Sequence, residues 1–239
     1  MTPELVLLVV LGTAAACTLS ASAGLGGSLV LVPLLALAIG TKEGVALAAL
    51  LLAANNVVKI AAYRHSLPWR AVIEVLVVVV LGSLVGASLL VALPESWVSV
   101  AVIASIVLAL LAERLRVSRA QRFGAPVLGF ASGATSGFSG TSGPLKGLSL
   151  RMLRLDRAHL VGAASVVSLA GDLTKAAVYA GAGLLQSSSL LLMAALLPVM
   201  LASTFLGRHI NKQVGERGYA VLFWVVMGGY SMRLLGLSA

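Results

Sequence analysis

The sequence predicts an all-α polytopic membrane protein: about ten membrane segments in two inverted five-segment repeats, with short broken helices at Gly-rich motifs. Three observations lead there. Of the 239 residues 59% are hydrophobic and only 10% charged, whereas roughly a quarter of a soluble domain is charged. The apolar stretches recur at the length of a membrane span, about 20 residues for roughly 30 Å of hydrocarbon. And the stretch Gly24 to Tyr63 returns at Gly140 to Tyr179, 116 positions later and without a gap: Gly24 meets Gly140, Gly27 meets Gly143, Asn56 meets Asp172, Lys59 meets Lys175 and Tyr63 meets Tyr179.

In chain order the spans fall at 4–20, 27–39, 42–65, 69–92, 96–113, 125–140, 143–154, 156–182, 185–208 and 217–236. The first span begins without Lys or Arg, which a cleaved signal peptide would need, so it is expected to stay as a membrane helix. Its Cys17, the single cysteine, allows neither an intrachain disulfide nor a cysteine metal cluster. The second and seventh spans are too short to cross, because 13 residues rise only about 20 Å; each should be a half-helix. Irregular backbone at that depth survives only where protein buries it or a cavity lines it. His65 to Arg70, with Pro68 and Trp69, reads as an interfacial turn, and Leu93 to Ser96 as a tight connection. The chain divides into a first membrane repeat at 1–113, a basic linker at 114–124 and a second repeat at 125–239.

Twelve Lys and Arg fall on the linker's side of the membrane and only Lys42 on the other. Cytoplasmic loops hold the excess of basic residues, so the linker is expected inside and both termini outside. The formal charge of +9 has the same explanation and does not indicate nucleic acid. Five segments per copy, an odd number, give the copies opposite orientations, as in several secondary transporters that bind substrate between broken helices near the midplane.

The chemistry concentrates in the repeated stretch. Gly26, Gly27 and Ser28 precede one short helix; Ser139, Gly140, Thr141, Ser142 and Gly143 precede the other. A helix beginning there aims unpaired N–H groups and a positive dipole end inward, which suits an anion. Taken singly, a Gly-rich run more often means close packing of helices; two copies, each before a short span, favour a binding role. Lys59 and Lys175 lie well inside long apolar helices, where a lysine costs at least about 2.5 kcal/mol and usually serves function or a partner. Asp172, three residues before Lys175, can neutralise it, while Asn56 cannot do this for Lys59. One positive charge is left uncompensated. Asn55 and Asn56 add hydrogen-bonding groups. Asp172 and His159 are the candidates for moving a coupling proton, His having the suitable ordinary pKa.

Two rival chemistries are weaker. Gly137, Phe138, Ser139, Gly140 matches the Gly-x-Ser-Gly pattern of rhomboid intramembrane proteases, with His159 followed by Gly162, but too few residues separate this serine and histidine for that architecture. A cation or metal permease would gather Asp, His, Met or Cys in the core, and here the intramembrane ionisable residues are mostly basic.

The run Gly24 to Gly27 leading to Pro33, its echo at Gly140 to Gly143 and the long helices that follow resemble the TauE/SafE family of membrane permeases. The resemblance covers nearly the whole chain. It implies export of sulfite or small organosulfonates across a bacterial inner membrane, driven by an ion gradient, with no cofactor and no enzymatic activity.

Overall fold

A computed structural model describes residues 3–23, 26–112, 124–141 and 143–213. Among these residues the secondary structure is helical throughout: α1 (Pro3–Ala23), α2 (Gly27–Ile39), α3 (Thr41–Ala62), a single 3-10 turn at Arg64–Ser66, α4 (Trp69–Ala92), α5 (Glu95–Ala112), α6 (Gly124–Ser139), α7 (Gly143–Arg151), α8 (Arg157–Gly181) and α9 (Ser187–Gln213). The expected span at 217–236 and most of the basic linker lie outside the described residues.

Local chemistry sets these boundaries. Gly26 takes a left-handed conformation (φ 99°), a backbone angle that costs glycine nothing, and α2 starts at the next residue. Gly140 (φ 76°) breaks the chain in the same way between α6 and α7. Gly40 (φ 104°) turns α2 into α3, with the Glu95 carboxylate accepting the Thr41 N–H at 2.6 Å. The expected seventh span, 143–154, is shorter than the sequence suggested. It stops at Arg151 and unwinds through Arg154, which has φ 52°. Nine residues rise only about 14 Å, so α7 is a half-helix. Asp156 then caps α8, its side chain accepting the His159 N–H.

Four helices among the described residues are long and apolar enough to cross a membrane: Thr41–Ala62, Trp69–Ala92, Ala158–Gly181 and Ser187–Ile210. The outer pair, α4 and α9, turns Ile73, Val77, Leu81, Leu191 and Phe205 outward, as lipid-facing helices do. The protein is a multi-pass membrane protein.

Glycine decides how closely the helices approach. A Cβ added at Gly82 or Gly86 of α4, or at Gly133 or Gly137 of α6, would run into the backbone of the facing helix. Small residues permit such contact where the hydrophobic effect offers no drive between helices. α1 packs on α9 in the same manner, with Gly207 against the Thr18 carbonyl. The packing also follows the sequence offset. Adding 116, the separation of Asn56 from Asp172, carries α1 onto α6, α2 onto α7, α3 onto α8 and α4 onto α9. The contacts then exchange: α4 lies on α6 as α9 lies on α1, α4 on α8 as α9 on α3, and α3 packs against its own counterpart, α8.

Candidate functional site

Where α3 meets α8, each helix presents one face at the same spacing. On α3 the residues are Leu52, Asn56 and Lys59; on α8 they are Ser168, Asp172 and Lys175. Steps of four and three residues keep each trio on one side of its helix. Leu52, Asn56 and Lys59, with Ser168 and Asp172, line a cavity of about 30 Å³ that is completed by Ser20 of α1, the break residues Gly26, Gly27 and Ser28, Ser136 of α6 and Lys146 of α7. That volume has room for two or three water molecules.

The hydrogen bonds at this site come in duplicate. Lys59 Nζ donates to Ser20 Oγ at 2.8 Å and Lys175 Nζ to Ser136 Oγ at 2.9 Å, each across 39 residues. The Tyr63 hydroxyl donates to the Ala21 carbonyl and the Tyr179 hydroxyl to the Gly137 carbonyl, each across 42 residues. Where the two patterns join, Asn56 Nδ2 donates to Asp172 Oδ2 at 2.7 Å. The other carboxylate oxygen, Oδ1, pairs with Lys175 Nζ at 2.7 Å. A carboxylate only accepts, so the Asn56 amide must turn its NH₂ toward it, and Asn56 Oδ1 is buried with no hydrogen-bond partner among the described residues.

Burial makes these charges consequential. Lys59 and Lys175 are each 1% exposed and Asp172 is 4% exposed. Among the described residues Lys175 has a carboxylate partner and Lys59 has only a hydroxyl. Lys146 is the third cation, its Nζ donating to Ser168 Oγ at 2.9 Å. With every group ionised, Lys59, Lys146 and Lys175 against the single carboxylate of Asp172 leave a formal excess of two positive charges. The sequence reading anticipated one, because it passed over Lys146. α2 also begins at this cavity, and the first N–H groups of a helix lack intrahelical partners. The arrangement can therefore accept a small anion on lysine ammonium groups, hydroxyls and a helix N-terminus.

The family model for sulfite exporter TauE/SafE matches residues 8–234. The chain belongs to that family. TauE/SafE proteins are membrane exporters rather than enzymes, and this member's buried lysines fit such a role. No curated protein and no solved structure matches the chain.

The remaining residues singled out in the sequence divide into two groups. Gly26, Gly27, Ser28, Asn56, Lys59 and Asp172 line the TauE/SafE cavity, and Lys175 stands behind Asp172. The others lie apart from it. Asn55 faces away, its Oδ1 accepting from Thr204 Oγ1 at 2.8 Å, and so ties α3 to α9. Ser139 Oγ donates to the Thr135 carbonyl at 2.9 Å and lies beside Thr141. Gly140 packs against Val32 and Val45. Gly143 opens α7, and Ser142 is outside the described residues. His159 sits at the exposed start of α8, its Nδ1 2.6 Å from Asp156 Oδ2. The His159 N–H and then its ring hold the Asp156 carboxyl below the usual carboxylate range. Ser139 and His159 are thus engaged with other partners and do not form a nucleophile and base pair. Among the described residues no three His, Cys, Asp or Glu side chains gather as a metal site would require.

Ser20, Ser136, Lys146 and Ser168 were missed. The first two obey the repeat offset and would have emerged had the alignment been extended upstream of Gly24. Lys146 and Ser168 occupy the positions that Val30 and Leu52 hold in the first copy, so no repeat comparison could signal them.

Proposed function

We propose that this TauE/SafE protein is a secondary transporter that exports a small anion, sulfite or an organosulfonate such as sulfoacetate, across the bacterial inner membrane by alternating access, coupled to a proton gradient. One observation carries the reading: a small cavity lined by Lys59 and Lys146, with Lys175 behind its single carboxylate, Asp172. Such an excess of positive charge within membrane helices is costly unless an anion visits it. The small volume favours compact sulfite over the longer sulfoacetate.

The two copies are taken to be inverted repeats related by an axis in the membrane plane. Support comes from the odd number of segments per copy and from hydrogen bonds that recur at the same offsets. Nearly equivalent halves can exchange conformations, which opens one site to either side in turn. The linker side is cytoplasmic by its basic residues. In this scheme Asp172 is the coupling group: a proton on its carboxylate would loosen Lys175 and disturb the bond to Asn56, freeing Lys175 for the anion. His159, placed at the surface, serves the cap of α8 in this reading and takes no part in coupling.

Proteoliposomes supplied with radiolabelled sulfite or sulfoacetate, with and without an imposed pH gradient, test it. Flux of neither anion above that of empty liposomes removes the assignment; flux indifferent to the gradient removes only the coupling.

A further inference from the structure

The repeat offset relates some of the residues at the cavity but not all of them. Ser20 answers Ser136, and Lys59 answers Lys175. Across from Lys146 and Ser168, however, the first copy offers Val30 and Leu52. Beside the exchange of Asn56 for Asp172, the second copy thus adds one cation together with the hydroxyl that holds it, Lys146 Nζ to Ser168 Oγ at 2.9 Å. Among the described residues no carboxylate pairs with Lys146; the only one at the cavity, Asp172, is already engaged by Lys175 and Asn56.

Consider the site without Lys146. Lys175 and Asp172 cancel, and Lys59 alone would face the ligand, a match for a monovalent anion. Adding Lys146 raises the unpaired charge to two. Lys59 and Lys146 both reach the same small space, so they can contact different oxygens of one compact anion. When both lysines are protonated, a divalent ion satisfies both ammonium groups; a monovalent ion leaves one of them unmet in a site at most partly open to water, which low-dielectric surroundings penalise.

Resting on the anion-transport reading above, we infer that Lys146 is the residue that sets ligand valence, making this a site for compact divalent oxyanions. Lys59 supplies binding to either class. Ser168 holds the Lys146 ammonium toward the cavity when it is empty.

The test is ligand binding to the purified full-length protein in lipid nanodiscs, measured by calorimetry. The divalent probes are sulfate and, above its second ionisation, sulfite. The monovalent probes are nitrate and methanesulfonate. The wild type should prefer divalent probes by about tenfold or more, the scale of one charge-assisted hydrogen bond. Lys146→Gln should lose most of that preference by weakening divalent binding, with monovalent affinity changed by less than about threefold. Lys146→Arg should keep it. Lys146→Met provides a second neutral variant of similar length should Gln fail to give monodisperse protein. An unchanged preference in the neutral variants, or an equal fall for both classes, overturns the assignment of Lys146. A wild type that binds none of the four probes overturns the anion-site reading beneath it.

Discussion

Asn56 and Asp172 occupy the same place in the two copies of one repeated stretch, and they bond directly to each other at 2.7 Å. Because the carboxylate holds Lys175 with its other oxygen, Lys175 has a carboxylate partner while its counterpart Lys59, among the described residues, bonds to the Ser20 hydroxyl. The two halves are nearly identical in backbone pattern but differ in how their lysines are paired.

Removing that carboxylate should be costly for the fold. In Asp172→Asn, Lys175 stays buried without a counter-charge, and breaking a buried pair from one side typically costs roughly 3–5 kcal/mol. Thermal unfolding in detergent should show a markedly lower midpoint for Asp172→Asn. The double variant Asp172→Asn, Lys175→Met should recover a large part of the loss, since neither charge remains. Additive effects in this cycle would mean that the two side chains are not coupled.

Lys59 should matter for binding more than for stability. Its loss removes a charge-assisted bond worth roughly 1.5–3 kcal/mol, so Lys59→Met should weaken sulfite binding by about tenfold to a hundredfold. The Lys59→Ala, Lys175→Ala double variant should abolish flux in proteoliposomes. Undiminished flux in that variant would mean that these lysines do not hold the anion.

Two glycines should respond to substitution in different ways. Gly86 faces the Ala134 carbonyl and the Phe138 amide across the α4 and α6 contact; Gly86→Val forces the backbones apart, an overpacking cost of about 1–3 kcal/mol, and size-exclusion profiles should show loss of monodisperse protein. Gly26 is held at φ 99°, where a side chain costs roughly 1–2 kcal/mol. Gly26→Ala should retain its fold by circular dichroism, yet bind sulfite more weakly as the start of α2 shifts. Unaltered affinity in that variant would separate the α2 N-terminus from the site.

Orientation can be read by chemical labelling. Arg70, in the first turn of α4, and Ser96, in the first turn of α5, are both exposed. In a Cys17→Ser background, Arg70→Cys should react with an impermeant maleimide only from the cytoplasmic side and Ser96→Cys only from outside. The reverse pattern would invert the predicted topology.

Acid should loosen the start of α8. The Asp156 carboxyl sits below its ordinary range because it accepts from the His159 N–H and ring. A depressed carboxyl stabilises the fold above its unfolded pKa, and that contribution fades as pH falls through the folded value. Protection of the backbone N–H groups near Arg157 to Leu160, taken relative to the intrinsic exchange rate at each pH, should therefore fall below about pH 4, near the unperturbed Asp value, and Asp156→Ala should show the lower protection at neutral pH as well.

Among the described residues, sequence alone located most of the helices and their apolar character, because both depend on local quantities: the length of apolar runs, and glycine or proline at their ends. α4 occupies 69–92 as read from hydropathy, and the break before α2 falls where Gly26 permits a left-handed turn. The repeat also located Lys59, Asp172 and Lys175, since a charge inside an apolar helix stands out at either copy. Only the tertiary structure decided which of these groups meet. Asn55 and Asn56 are adjacent in the chain, yet one ties α3 to α9 and the other bonds to Asp172, because neighbouring residues on a helix point about 100° apart. His159 belongs to the same helix as Asp172 but is stationed at its exposed end. Lys146 reaches the cavity because the half-helix α7 packs against α6 and α8, an outcome of how helix faces fit together that the first copy, with valine at that position, could not foretell.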